Sequence, residues 1–446
     1  MKLTEVAKGF RKRTLVTAKL ASKVGIATLK KQINISGAEI DLEESIRMAE
    51  KLVDEIDGMK GLIMKFGQIA SYMGTNFPPE AQRVLSRLQG SGISIEYSVI
   101  EHIVRSELGA SIEDIFDSFE RDAFAAASIG QVHRAVYKGQ DVAVKIQYPG
   151  IEEAIRSDLK YVAPIIIGVL MGQKSSGPEI FKEFKDRILE ECDYKKELEN
   201  QMLFAEMFKD IPEIIIPGVI ETCSARRILT TEYIEGRDFY QFLDEENQEE
   251  KNKAAKTIYY FTTASIYHYA FFNSDPHPGN YLFLKDGAVC FLDFGSVKKF
   301  EPDTIEYFRG YAKALIENDM ELFKQLSRRN GMAPEKGKFD WDFHWEMMSY
   351  TYREYLTPGE FTFTKEFVNE SFDLFIFRNK NLFSFKLPPD MLFSNRLHWG
   401  LFSILADLNA TGNWQDICNE ILGVETVDVD NLRTSDVEPE VELQMS

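Results

Sequence analysis

Residues 272–295 read FNSDPHPGNYLFLKDGAVCFLDFG, and this stretch decides the fold. Asp275 precedes Asn280 by five residues, and Asp293 follows Asp275 by eighteen. Prolines and a glycine make the first part a stiff, non-helical loop, whereas YLFL and AVCFL around the turn KDG predict a β-hairpin before Asp293. Hard divalent cations such as magnesium prefer carboxylate and amide oxygens. The stretch therefore predicts Asn280 and Asp293 as metal ligands, with Asp275 as an acid near a reacting oxygen.

A lysine on another predicted hairpin supplies a positive charge. The runs SIGQVHRAVY and DVAVKIQY, joined by the turn KGQ, predict two β-strands. Lys145 stands in the second strand among the apolar residues Val142, Val144 and Ile146. A strand-borne lysine in such surroundings indicates a function beyond solubility, because its ammonium group can bind phosphates.

The lysine needs a carboxylate partner, and the segment LEECDYKKELEN offers several. Helical periodicity predicts one long charged helix over residues 179–209. On that helix Asp193 and Glu197 share a face, whereas Glu191 lies about 120° away from Glu197. We assign Glu197 as the partner of Lys145. Surface ion pairs between these acids and neighbouring lysines remain the alternative.

The three pieces together match the pattern of a protein kinase in order, spacing and element type. In that pattern the strand lysine binds nucleotide phosphates, the D-x4-N loop carries an acid and a metal ligand, and the DFG aspartate binds magnesium. The sequence therefore predicts an α+β, bilobal protein-kinase-like fold that binds ATP or ADP with Mg²⁺.

Two departures separate this chain from an ordinary kinase. Asn273 and Ser274 replace the histidine-arginine pair before the catalytic aspartate, and the loop FAAASIG replaces the Gly-rich phosphate loop. Methyl groups restrict backbone conformations that glycine permits, so we expect this loop to be stiffer. The candidate nucleotide-binding residues of the loop are Ala125, Ala126, Ala127, Ser128 and Gly130.

These departures make the chain resemble the UbiB family, atypical protein-kinase-like proteins linked to ubiquinone biosynthesis. The motifs that carry the resemblance are KFGQ, AAASIGQVH, VAVKIQYPG, ECD, SDPHPGN and LDFG, which extend from Lys65 to Gly295. The resemblance implies that Lys65 and Gln68 lie at the active cleft, with Glu191 and Asp193 as their acidic counterparts.

The resemblance also implies an activity. It implies slow ATPase or small-molecule phosphotransfer, rather than phosphorylation of proteins, in support of isoprenoid quinone synthesis. A lipid precursor or a quinone-biosynthesis complex would be the partner. Two alternatives remain open from the residues: a small-molecule kinase of the aminoglycoside-phosphotransferase type, and a nucleotide-binding pseudokinase scaffold without turnover.

The pattern along the chain predicts four regions. They are an N-terminal helical extension with the KxGQ motif, a kinase-like N-lobe with inserted helices, a mainly helical C-lobe and an acidic tail, at residues 1–120, 121–236, 237–434 and 435–446. Within the N-lobe, residues 214–222 and 227–233 predict two further strands. In the C-lobe we expect helices interrupted only by the hairpin at residues 281–292.

The distribution of charge limits the partners. Met1–Lys31 carries nine basic residues and one acid, although the whole chain has a net charge of −19. An acidic body disfavours nucleic-acid binding, which needs a basic footprint. We expect a cytoplasmic protein whose basic segment can contact anionic lipid at a membrane surface. The composition of that segment also fits an organellar transit peptide. The four cysteines lack metal-ligand spacing, so we expect reduced thiols.

Overall fold

In the computed structural model the chain forms two compact units. One contains the described residues up to Lys196 together with Ile220–Tyr233, and the other contains Glu197–Val219 and the described residues from Ile234 onward. The residues that the structure describes are 95–127, 129–157, 159, 182, 185–186, 188–273, 275–376, 378–381, 384–385, 389–423, 427, 429 and 432. The predicted N-terminal extension therefore lies outside the described residues up to residue 94, and so do Lys65, Gln68 and Ser128.

The first unit is built on an antiparallel sheet with strand order β1-β3-β4-β6, and β2 also pairs with β3. The strands are β1 Ser118–Phe119, β2 Ala125–Ala127, β3 Gly130–Tyr137, β4 Gln140–Gln147 and β6 Ile228–Glu232. The predicted hairpin is present as β3 and β4. Its turn has Lys138 at φ 50° and Gly139 at φ 78°, and two positive φ values match the twist of the paired strands.

Two helices cover one face of this sheet, α1 Tyr97–Leu108 and α2 Ile112–Ile115. Alternation along β4 points Val142, Val144 and Ile146 into the core with Ile100 and Val104 of α1. The helical extension predicted for residues 1–120 does not stay helical to its end, because Ser118 and Phe119 form β1 and pair with Val136 and Ala135.

The single long helix predicted over residues 179–209 is wrong. The helical stretch that reaches Glu190 breaks at residues 191–193, and α3 then runs over Tyr194–Met207. At the break, Cys192 O accepts a hydrogen bond from Gln147 Nε2 at 2.9 Å, and Tyr194 N–H donates to Arg226 O at 2.9 Å. The chain is thus bound to the sheet at a point where a continuous helix would use these backbone groups itself.

The second unit is mainly helical. Its helices after α3 are α4 Phe239–Glu245, α5 Gln248–Tyr267, α6 Pro302–Ile316, α7 Met320–Arg329, α8 Trp341–Thr351, α9 Arg353–Leu356, α10 Lys365–Ile376, α11 Pro389–Asp407 and α12 Trp414–Leu422. Helix α5 lies at the centre, with eleven of its twenty residues buried. None of the described helices is long and apolar enough to cross a membrane.

Short strands join these helices in three small sheets. The strands are β5 Ile214–Ile215, β7 Phe271–Asn273, β8 Tyr281–Phe283, β9 Val289–Phe291, β10 Val297–Lys299, β11 Phe361–Thr362 and β12 Thr411–Gly412. The predicted hairpin is β8 and β9, and β5 pairs with β9 in parallel. Two expectations are wrong. Strands β7, β10, β11 and β12 also interrupt the helices, and only the first two residues of the segment predicted as a strand at 214–222 form one of the strands, β5.

All four cysteines, Cys192, Cys223, Cys290 and Cys418, are buried thiols that form no disulfide bond. Burial raises the pKa of Cys290 and of Cys418 to about 12. These thiols stay protonated at neutral pH, so they behave as small apolar core residues.

Candidate functional site

The loop after β7 positions Asp275. The side chain is 5% exposed. Its backbone N–H donates to Asn273 Oδ1 at 3.1 Å, and its carbonyl oxygen accepts from Asn280 Nδ2 at 3.0 Å. These two bonds close the loop, so that the acid and the amide predicted from the D-x4-N spacing lie together. Because Asn280 uses its amide nitrogen here, its Oδ1 is the atom that can bind a cation.

The turn HPGN holds Asn280 in place. His277 Nδ1 accepts a hydrogen bond from Gly279 N–H at 3.0 Å, so this nitrogen carries no proton. The backbone N–H of Asn280 donates to His277 O at 2.9 Å, and residues 278–280 form one 3₁₀ turn. The prolines and the glycine thus produce the stiff loop that the sequence predicts.

The β8–β9 hairpin returns the chain to this loop and delivers Asp293. Leu292 N–H donates to Asn280 O at 3.0 Å, and Asn273 Nδ2 donates to Asp293 O. Asp293 Oδ1 accepts from Gly295 N–H at 2.9 Å, which orients the carboxylate. The second unit therefore brings Asp275, Asn280 and Asp293 together in one hydrogen-bonded frame.

Helix α3 contacts the LDFG turn. Asn200 Nδ2 donates to Phe294 O at 2.9 Å, and the fully buried Phe294 ring lies 4.9 Å from the Phe204 ring, centre to centre. Glu197 stands three residues before Asn200 and seven before Phe204, so the three share one helix face. Glu197 is 2% exposed, and a buried carboxylate requires a charged or hydrogen-bonding partner.

Tyr281 is a neighbour of the site that the sequence did not indicate. It follows Asn280 directly and is buried. Burial, with a smaller contribution from the negative charge of Asp275, raises the pKa of its phenol well above the usual range. The phenol therefore stays neutral beside the acid.

Lys145 lies in the first unit, on the face of β4 opposite Val144 and Ile146. Its Nζ atom is 4.9 Å from the centre of the Tyr194 ring, in a cation–π contact. Tyr194 is buried, and its backbone is held to Arg226 by the bond that interrupts the predicted long helix. Sequence reasoning missed Tyr194, although it stands within the segment searched for a lysine partner.

The alanine loop is a paired strand rather than an open loop. Ala125, Ala126 and Ala127 pair with Val132, Gln131 and Gly130. At Gly130 a Cβ atom would lie 2.3 Å from Ile146 O and 2.9 Å from Tyr194 Oη, so only glycine fits there. Pairing on β3 restrains the backbone of this segment, in agreement with the expected stiffness.

Two polar residues of the AAASIGQVH motif have a structural role. Gln131 Oε1 accepts from Ile95 N–H at 3.1 Å, Gln131 Nε2 lies 2.7 Å from His133 Nε2, and His133 Nδ1 lies 2.9 Å from Glu120 O. Burial lowers the pKa of His133, so the ring is neutral and donates from Nδ1. This chain of bonds ties α1 and β1 to β3.

The ECD acids flank the break before α3. Asp193 Oδ1 accepts from Lys195 N–H at 3.1 Å and so caps the helix, and Glu191 is half-buried. The argument that Asp193 and Glu197 share one helix face fails, because Asp193 precedes the helix. One surface pair of the kind left as an alternative does exist: Lys196 Nζ lies 3.5 Å from Glu190, and such exposed pairs stabilise by under about 1 kcal/mol.

A strand-borne lysine in an antiparallel sheet, with a D-x4-N loop and an LDFG turn in a mainly helical unit, defines a kinase-like protein. The sequence profile of the ABC1 atypical kinase-like domain matches residues 87–327, more than half of the chain. The chain therefore belongs to the ABC1 atypical kinase-like family, which is the UbiB family that its motifs resemble.

Curated relatives and a solved structure agree with this membership. The chain is 32% identical over 301 residues to Protein ACTIVITY OF BC1 COMPLEX KINASE 8, chloroplastic, of Arabidopsis thaliana, covering 65% of this chain and 39% of that protein. It is 30% identical over 299 residues to Atypical kinase COQ8, mitochondrial, of Saccharomyces cerevisiae, covering 65% and 60%. The chain spans between 37% and 60% of the length of such relatives.

The structure of Rv3197 from Mycobacterium tuberculosis in complex with erythromycin is similar to this one, with a TM-score of 0.63 at 25% identity. The similarity covers 85% of this chain and 96% of that chain. The kinase-like fold of mixed helices and strands predicted from the sequence is confirmed.

Proposed function

We propose that the chain binds ATP or ADP with magnesium and acts as an atypical kinase or ATPase that supports isoprenoid quinone synthesis, such as that of ubiquinone, and does not phosphorylate proteins. The observation that carries the proposal is the frame that holds Asp275, Asn280 and Asp293 together. The carboxylate of Asp293 and the amide oxygen of Asn280 are donors that a hard divalent cation prefers, and Asp275 places a second carboxylate in the same frame.

Each residue of the frame has a distinct role in this proposal. Asp293 and Asn280 would hold the cation by their oxygens, the cation would offset the negative charge of the phosphates, and Asp275 would orient the attacking hydroxyl or water and accept its proton. Asp275 and Tyr281 are both buried, which limits bulk water at the loop and strengthens the local electrostatics.

Lys145, in the first unit, is the proposed ammonium group for the phosphates, and the Tyr194 ring holds it in a cation–π contact. The assignment of Glu197 as the carboxylate partner of Lys145 remains part of the proposal. Backbone N–H groups of the loop formed by Ala125, Ala126, Ala127, Ser128 and Gly130 approach the nucleotide. Because β3 restrains this loop, it binds phosphates in one conformation rather than folding over them flexibly.

The KxGQ assignment remains part of the proposal. Lys65 and Gln68 would act at the cleft with Glu191 and Asp193 and regulate nucleotide binding there. A double-mutant cycle between Lys65→Ala and Asp193→Ala on ADP affinity tests this role, since residues that act together give non-additive free energies. Additive effects on ADP affinity would show that Lys65 and Asp193 act independently, which would refute this role.

Ligand-induced thermal stabilisation tests nucleotide binding. We expect ADP or ATP with Mg²⁺ to raise the melting temperature of the full chain, and Asp293→Asn to abolish the rise. Asp342→Asn, an exposed aspartate on α8, is the matched control and retains it. No stabilisation of the unmodified chain at any magnesium concentration would overturn the proposal.

Phosphate release separates an enzyme from a scaffold. We expect Asp275→Asn to keep the magnesium-dependent stabilisation by ADP and to lose phosphate release, because Asp275 acts on the reacting oxygen. An unchanged rate in Asp275→Asn would favour another base, and no phosphate release from the unmodified chain would favour a scaffold without turnover. Quinone profiling of a deletion strain, complemented with the native chain or with Asp293→Asn, tests the link to quinone synthesis and to its lipid precursors or complex.

A second candidate function is phosphoryl transfer to a small molecule. One similar solved structure is a complex with erythromycin, and this observation favours a small organic acceptor. Phosphate transfer to an aminoglycoside or a macrolide in the presence of Mg²⁺-ATP, lost in Asp275→Asn, would support this function. ATP hydrolysis that such compounds leave unchanged would favour the first.

A further inference from the structure

Asn273 is the last residue of β7 and stands opposite Val297 of β10. Its side chain uses both of its polar groups on backbone atoms of the site: Oδ1 accepts from the Asp275 N–H, and Nδ2 donates to the Asp293 carbonyl oxygen. One amide therefore links the acid loop to the LDFG turn. In the kinase pattern a histidine stands two residues before the catalytic aspartate, and this chain has Asn273 at that position.

We propose that Asn273 is a positioning residue that sets the spacing between Asp293 and the D-x4-N loop that carries Asn280, and through it the affinity of the site for a divalent cation. The inference rests on the proposed function, because it assigns the cation to Asp293 and Asn280. Cation ligands act at fixed separations, and partners that orient them change metal affinity typically by about 10- to 100-fold.

The position of Asn273 in the frame explains why it governs the spacing. Pairing of β7 with β10 ends at Asn273, where the two chain segments enter the loop and the turn. At the far end of the same segments, Leu292 N–H donates to Asn280 O. Removing the Asn273 side chain leaves the Asp275 N–H and the Asp293 carbonyl without this link, so the loop and the turn can move apart.

The chain provides a matched control in Asn379, a buried asparagine with the same bonding pattern. Its Oδ1 accepts from Asn381 N–H at 2.8 Å, and its Nδ2 donates to Phe375 O at 3.2 Å. Asn379→Ala removes two hydrogen bonds of the same kind from the same unit. Asn379 bonds neither to the D-x4-N loop nor to the LDFG turn. Loss of stability alone therefore affects both variants, and loss of cation affinity affects one.

The experiment titrates MgCl₂, and in parallel MnCl₂, at saturating ADP and follows the melting temperature. We expect Asn273→Ala to raise the half-saturating magnesium concentration about tenfold or more, while Asn379→Ala leaves it unchanged. Asn273→Gln keeps the amide and displaces it by one methylene, so it should raise the half-saturating magnesium concentration by less. If the alanine variant does not fold, the glutamine variant alone tests the proposal. Phosphate release should show the same shift in magnesium dependence, with a smaller change in rate at saturation.

The outcomes separate this inference from the proposed function. If the unmodified chain shows no magnesium-dependent stabilisation by ADP, the proposed function fails. If the unmodified chain shows it and both Asn273 variants keep the same half-saturating concentration, only the positioning role is refuted. An equal rise in Asn379→Ala would also refute it, because the effect would then follow general destabilisation.

Discussion

Glu354 on α9 should make the stability of the second unit fall as the pH rises from 6.5 to 8. The side chain is 1% exposed, and its Oε2 atom has no hydrogen-bond partner in the described part of the chain. It lines a cavity of about 20 Å³, and the other titratable groups of the lining are Tyr259, Tyr267, Tyr355, His398 and Cys418. Burial raises the pKa of Glu354 from 4.5 to about 8.

The sign of the effect follows from proton binding. Between pH 4.5 and 8 the carboxyl is ionised in the unfolded chain and protonated in the folded one, so each pH unit lowers the free energy of unfolding by roughly 1.4 kcal/mol. His344 acts in the opposite direction below its usual pKa of 6.5, because burial lowers its pKa to about 3 and protonation then favours the unfolded chain. The buried His133 acts in the same sense as His344. Above pH 6.5 the Glu354 effect is the largest of these, and the expected loss up to pH 8 is about 2 kcal/mol.

Urea unfolding followed by tryptophan fluorescence measures this loss in the second unit, because all four tryptophans of the chain lie there. Glu354→Gln keeps the shape of the side chain and removes its titration, so its unfolding free energy should stay level from pH 6.5 to 8. Glu346→Gln, at an exposed position on α8, should keep the slope of the unmodified chain. Equal slopes in the unmodified chain and in Glu354→Gln would refute the reasoning.

Three further predictions concern the site and the basic segment. In Gly400→Ala the new methyl group would lie 2.5 Å from Pro276 Cγ, so we expect lower phosphate release and a loss of about 1–3 kcal/mol of stability. In the control, Gly310→Ala, the new methyl group would meet the flexible Leu326 side chain at 3.3 Å, so this variant should retain activity. Tyr194→Leu should weaken ADP binding by releasing Lys145, and Tyr194→Phe should bind ADP almost normally; equal weakening in both variants would contradict the cation–π contact. Removing residues 1–31 should lower binding to anionic vesicles, and binding by the full chain should weaken with salt; identical binding with and without that segment would exclude this membrane contact.

Local patterns were sufficient to predict the strand, loop, hairpin and turn that carry the candidate site residues. Alternation of apolar side chains identified the strand that carries Lys145, and the spacing of Asp275, Asn280 and Asp293 identified a loop, a hairpin and a turn that the structure contains. These features depend on residues close in the chain, which is why periodicity and motif spacing reveal them.

The supporting residues could not be predicted in the same way. Asn200 binds Phe294 across 94 positions, and Gly400 packs on Pro276 from a helix that follows the whole loop. The break before α3 was missed because helical periodicity continues through it, whereas its cause is bonding of Cys192 and Tyr194 to the sheet. Such contacts are set by tertiary packing, which overrides local preference.

Because the four cysteines are buried, their reactivity can measure local unfolding of the chain. Each native thiol is shielded from solvent, so a maleimide or disulfide reagent should modify the folded protein only as fast as the surrounding segment opens. Cys290 lies on β9 and Cys418 on α12, so their alkylation rates would time the opening of two separate parts of the second unit. A cysteine introduced at an exposed position such as Gln140 would by contrast accept a fluorophore at once, which allows site-selective labelling without first removing the native cysteines.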